Sequence, residues 1–150
     1  MPQMVTTTDI NRSPEIVFDL LADFAAYGSW LDTSETFNTL RDIIDNPVKA
    51  GTTYTDAGQQ VTLHGEVTVC HPPHRLTFHQ IGSVSWVIPL GTLEITIAYL
   101  LTPTNTGTHL ERVQTVVLSG PLRLLQSRLL RIMKQENQRI LNTVREHLEA

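Results

Sequence analysis

The chain has one cysteine, Cys70, so no internal disulfide can form, and a reducing compartment is the natural setting. An excess of positive charge is also missing. With 11 Lys and Arg against 15 Asp and Glu, the formal charge is -4, which gives no reason to expect a nucleic-acid partner. There is no long apolar run, and residues 1–10 are polar and β-branched without a basic n-region. Neither a signal peptide nor a membrane span is therefore expected, and the expected location is cytoplasmic. What is present is enough for one domain of 150 residues, 41% hydrophobic, with a core that needs no metal or cross-link. No repeat, low-complexity stretch or linker divides it.

Residues 3–10 are rich in Val and Thr and read as a first strand. A helix start follows: Ser13 as cap, Pro14 in the first turn, Glu15 at the positive end. That helix is expected to reach about Asp23 and to bury Val17, Leu20, Leu21 and Phe24; a second short helix is expected over 25–31. Further β-rich segments lie at 40–45, 52–55, 61–70, 75–81, 92–102 and 108–118. They are punctuated by turn residues such as Asn46-Pro47, Asp56-Ala57-Gly58 and Pro72-Pro73. With the first strand they make a seven-stranded, mostly antiparallel sheet, because the connections are too short for parallel crossovers.

In the 61–70 strand the odd positions Val61, Leu63, Val67 and Val69 are apolar and should face the core, leaving His64 outside. The 92–102 strand places Leu93, Ile95, Ile97, Tyr99 and Leu101 on one side. The 108–118 strand is ambiguous: Leu110, Arg112, Gln114 and Val116 compete with His109, Glu111, Val113 and Thr115 for the inner face. Beyond Pro121 no Gly or Pro occurs up to Leu148, and residues 121–148 read as one helix of about 40 Å. Its apolar stripe runs through Leu122, Leu129, Met133, Ile140 and Val144 and must face the sheet.

This order of elements, with the run Ser13-Pro14-Glu15-Ile16-Val17-Phe18 on to Tyr27 and Trp30, Gly65-Glu66-Val67 leading to Pro72-Pro73-His74-Arg75-Leu76, Leu101-Thr102-Pro103 and the long final helix, resembles the START-like, Bet v 1-like (SRPBCC) superfamily, and within it the polyketide cyclase/dehydrase-type proteins. The resemblance covers nearly the whole chain. It implies an α+β helix-grip fold, with the sheet wrapped around the C-terminal helix and a cavity between them for a polyketide-, lipid- or sterol-like molecule, with or without catalysis.

Glu136 carries the sharpest chemical reading, since it falls inside the helical stripe, where a carboxylate is costly unless it meets a cavity. There it can bond a ligand or act as general acid or base; alternatively the helix turns and Glu136 pairs with a basic side chain at the sheet edge. Asn137 beside it is a second polar contact or an exposed residue. Tyr99 either presents its phenol to the pocket or bonds to backbone. Arg112 faces inward only if Leu110 and Val116 do, in which case it can polarise a ketone or hold a carboxylate. The expected lining is Leu63, Val67, Phe78, Ile95, Ile97, Met133 and Ile140, with Trp30, Tyr54 and Trp86 near the rim.

His71 and His74 have a spacing that superficially suits a metal, but the turn context and the absence of a completing carboxylate or cysteine pattern leave no metal site assigned. Residues 83–90, hydrophobic but interrupted by Pro89, are a flap over the cavity, a homodimer contact or an edge strand. Three functions follow: a carrier of a small hydrophobic ligand, a cyclase or dehydratase that needs no cofactor and draws on Glu136, Tyr99 or Arg112, and a protein-interaction module.

Overall fold

The computed structural model describes residues 2–33, 39–58, 61–85 and 88–150. Strands β1 (Gln3–Ile10), β2 (Thr39–Arg41), β3 (Thr53–Ala57), β4 (Thr62–His71), β5 (Arg75–Ser85), β6 (Pro89–Pro103) and β7 (Thr108–Leu118) form one sheet. Its order is β1-β7-β6-β5-β4-β3-β2, with every neighbouring pair antiparallel. From β2 to β7 the chain meanders, and β1 closes on the far side of β7. Helix α1 (Pro14–Ala22) and a 3₁₀ turn (Phe24–Ser29) follow β1, and the long helix α2 (Gln126–Glu149) ends the chain. This is the expected α+β helix-grip architecture.

Alternation along the strands sets the inner face. Leu93, Ile95, Ile97, Tyr99 and Leu101 of β6 are all buried, as are Leu110, Arg112, Gln114 and Val116 of β7. The ambiguous β7 register is thus resolved with Arg112 inward. In β4 the odd-position pattern holds through Val67 and then breaks, because the register with β5 shifts between Val67 and Val69. A bulge inserts a residue and reverses which side points inward. Cys70, rather than Val69, consequently packs against the core.

The helix ends differ from the sequence reading in two ways. Ser13 has extended geometry at the start of α1 but makes no side-chain cap bond; the helix is opened instead by Pro14 and by Val17 N–H donating to Ser13 O at 3.1 Å. Residues 121–148 are not one uninterrupted α-helix: Gly120–Leu125 forms a 3₁₀ turn, and α2 begins after Leu125, whose φ of -100° and ψ of 9° are off the helical values. The break lets Leu122 turn into the core while Leu124 stays exposed. Asn137, Ile140, Leu141 and Val144 are the buried side chains of α2. At its far end Glu149 accepts from Asn11 N–H at 2.9 Å, tying the helix to the end of β1.

Candidate functional site

Between the inner face of the sheet and α2 lies a cavity of about 250 Å³. Its apolar wall comes from Leu63, Phe78, Leu93, Ile95 and Ile97 of the sheet, faced by Leu129, Ile132, Met133 and Ile140 of α2. Phe24 and Tyr27 of the 3₁₀ turn close another side. Phe24 stands at the centre of an aromatic cluster, with edge-on contacts to Tyr27, Tyr54 and Phe78 at 5.2, 5.0 and 5.5 Å between ring centroids. Six polar side chains interrupt this surface: Tyr54, Asp56, Arg112, Gln114, Glu136 and Asn137.

One polar group joins β7 to α2. Arg112 and Tyr99 are directly opposed across β6 and β7, and the guanidinium donates from Nη1 to the Tyr99 hydroxyl. Its Nε–H donates to Asn137 Oδ1 at 2.9 Å, and Asn137 Nδ2 donates to Gln114 Oε1 at 2.6 Å. Arg112 is 6% exposed and all of these partners are neutral. No carboxylate forms an ion pair with it among the described residues. A buried cation held by neutral groups is costly, and its Nη2 amino group makes no protein hydrogen bond among the described residues. The cavity wall therefore carries a positive donor that the described residues do not fully satisfy.

A second group lies on β3 and β5. The ring of Tyr54 passes over Gly65 of the intervening strand and its hydroxyl donates to Gln80 Oε1 at 2.7 Å. That bond orients the amide so that Gln80 Nε2 donates to Asp56 Oδ2 at 2.9 Å. Asp56 Oδ1 is buried without a hydrogen-bond partner among the described residues. Desolvation pushes the Asp56 carboxyl up from its ordinary 3.8 to about 6, against the lowering pull of the Gln80 bond and of Arg112; Glu136 adds to the rise. Burial likewise raises the phenols of Tyr54 and Tyr27.

Glu136 lines the cavity and also pairs within its own helix: Arg139 donates to it from Nε at 2.5 Å and from Nη2 at 3.2 Å. This basic partner is one turn along α2. Arg139 also donates to Asp32 O at 2.9 Å, linking α2 to the segment after the 3₁₀ turn.

Of the residues named from sequence, Tyr54, Leu63, Phe78, Ile95, Ile97, Arg112, Met133, Glu136, Asn137 and Ile140 meet at this cavity. Tyr99 is fully buried and stands behind the wall, bonded to Arg112 and in ring contact with Phe78. Val67 and Trp30 do not line it. Val67 packs in the core, and Trp30, expected near the rim, is buried with its ring tilted against Tyr27 at 5.0 Å between centroids. Trp86 lies outside the described residues. Residues 83–85 and 89–90 extend β5 and β6, and Ile88 between them is 62% exposed. His71 and His74 both sit exposed at the β4–β5 turn.

Asp56 and Gln80 were missed. Asp56 stands in an Asp-Ala-Gly sequence that reads as a turn, although its two-residue spacing from Tyr54 was the available signal that both share a face. Gln80 bears the same relation to Phe78.

A search of curated proteins returned no match. Among solved structures, a protein from Mesorhizobium loti superposes with a TM-score of 0.69 at 18% identity, covering 99% of this chain and 97% of its own. A protein from Thermus thermophilus gives a TM-score of 0.72 at 15% identity over 98% of this chain and 97% of its own. The di-domain ARO/CYC BexL from the BE-7585A biosynthetic pathway gives 0.75 at 17% identity, covering 99% of this chain and 50% of BexL. At these identities the likeness is one of fold. The family model described as polyketide cyclase / dehydrase and lipid transport matches residues 1–149, and with the helix-grip fold and its cavity in place the chain belongs to that family.

Proposed function

We propose that the cavity binds a small, mostly apolar molecule that carries a carbonyl or similar acceptor, with Arg112 as the group that fixes its orientation. The observation that carries this reading is the buried guanidinium on a mostly apolar wall, its Nη2 amino group without a protein hydrogen bond among the described residues. Apolar contact supplies affinity at about 25 cal/mol per Å² before the costs of binding, and a charge-assisted hydrogen bond to the carbonyl supplies direction. The family described by cyclase, dehydrase and lipid transport activities accommodates such a ligand, whether it is carried or converted.

A second reading, that the bound molecule is converted, is favoured by the placing of a cation and two carboxyl groups on one cavity. Arg112 would stabilise the negative charge that builds on a carbonyl oxygen as the adjacent carbon loses a proton, and Glu136 would take that proton. The enolate carbon can then attack a second carbonyl of the same chain, and return of the proton with loss of water completes a cyclisation and dehydration. No cofactor enters these steps. BexL, an ARO/CYC by name, shares the fold and supports keeping this reading.

Native mass spectrometry of the purified protein tests the first reading, with an apolar small molecule retained at unit stoichiometry as the expected result. Ile95→Trp, which fills the cavity, should release it. Retention undiminished by that change would place binding elsewhere. If the bound molecule is a substrate, Glu136→Gln should slow its conversion while leaving affinity nearly unchanged, and undiminished turnover would take Glu136 out of the chemistry.

A further inference from the structure

We propose that Asp56 is a second recognition point in the cavity, accepting a hydrogen bond from a hydroxyl group of the ligand. The site would then select apolar molecules with a donor at the β3 end as well as an acceptor at the Arg112 end. The inference rests on the cavity being the ligand site.

Four observations converge on it. Asp56 is one of the cavity's wall residues, and its Oδ1 is buried with no hydrogen-bond partner among the described residues. Its Oδ2 is held by Gln80, whose amide is itself oriented by the Tyr54 hydroxyl, so the carboxyl cannot turn to satisfy Oδ1 without breaking a built chain of bonds. An unmade bond to a buried charged acceptor is costly, and a ligand hydroxyl is the group that would recover it. The donor is best neutral, because the cavity already carries the Arg112 cation, which would oppose a ligand ammonium group.

The charged and titratable groups bearing on Asp56 are Arg112 from β7, Glu136 from α2 and Tyr54 on its own strand, with neutral Gln80 from β5. Protonation of Asp56 near pH 6 replaces a charged acceptor by a neutral one, so recognition of a hydroxyl should weaken below that pH.

The test compares 2-naphthol with naphthalene by fluorescence titration of the full chain. Naphthalene is the more hydrophobic, so a cavity without a hydroxyl acceptor would favour it or bind both alike. At about pH 7.5 the expected result is a preference of about tenfold for 2-naphthol, shrinking toward parity at about pH 5. Asp56→Leu should abolish the preference while naphthalene still binds. The wild-type pH comparison stands without that variant should it fold poorly. Equal affinities at the higher pH, a preference indifferent to pH, or one that survives in Asp56→Leu would each overturn the role of Asp56 and leave the cavity reading intact. Binding of neither probe would remove the cavity reading and the role of Asp56 together.

Discussion

The ring of Tyr54 lies across Gly65, so close that a Cβ on Gly65 would sit 2.2 Å from Tyr54 Cζ. The missing side chain on β4 is what allows a β3 tyrosine to reach Gln80 on β5 and, through it, to hold Asp56 in the cavity wall. Gly65→Ala must displace the ring and break that chain. We expect a loss of about 1–3 kcal/mol in urea-denaturation stability. Gly28→Ala, where nothing lies within 4 Å of the new Cβ, is the matched control and should change little.

Asn137 bridges the buried Arg112 and Gln114 at 2.9 and 2.6 Å. Asn137→Ala removes the bonds to Arg112 Nε and Gln114 Oε1 and should cost about 1–3 kcal/mol. Arg112→Met, by contrast, removes a costly buried cation while leaving only the neutral Asn137 Oδ1 and Tyr99 hydroxyl unpaired, so the two effects offset and its stability should change less. The same substitution should weaken binding of a carbonyl-bearing ligand by about tenfold or more, measured by titration calorimetry. Equal stability losses in both variants would mean that Arg112 serves the fold rather than the ligand.

Because the folded Asp56 carboxyl titrates at about 6 against an ordinary 3.8, the folded chain binds more protons than the unfolded one between those values. Stability from this group is thus full below about pH 4 and is lost as pH rises through about 6. Asp56→Asn should therefore stabilise the protein at neutral pH, by at most about 3 kcal/mol, with the gain vanishing near pH 4. Urea midpoints of the two proteins across that range measure it.

Arg139 is the clamp on Glu136, and its side chain is 31% exposed. Arg139→Ala should lower stability by less than about 1 kcal/mol, because a partly solvated pair contributes little. Its effect should fall on ligand conversion, if there is any, since Glu136 loses the bidentate partner that holds it at the wall. A melting temperature reduced by many degrees would instead make the Arg139–Asp32 link a structural tie.

Much of the architecture was legible in the residues. Period-two runs in β4 and β6 and the period-3.6 stripe of α2 each admit one buried face, and turn residues between them forbid any other connection. Glu136 stood out for the same reason, as a charge in an apolar stripe.

What escaped that reading has specific causes. Along β7 both faces carry about equal apolar content, so only the pairing of Arg112 with Tyr99 across β6 decided which side the arginine takes. The bulge after Val67 leaves no periodic trace, yet it brings Cys70 inward in place of Val69. Asp56 and Gln80 are ordinary polar residues until Gly65 lets Tyr54 span the strand between them. Hydrophobic pattern is a local property and sets which elements form and which face they bury. Which polar groups share a cavity depends on strand register and on contacts between residues distant in the chain, and only the packed sheet and helix determine those.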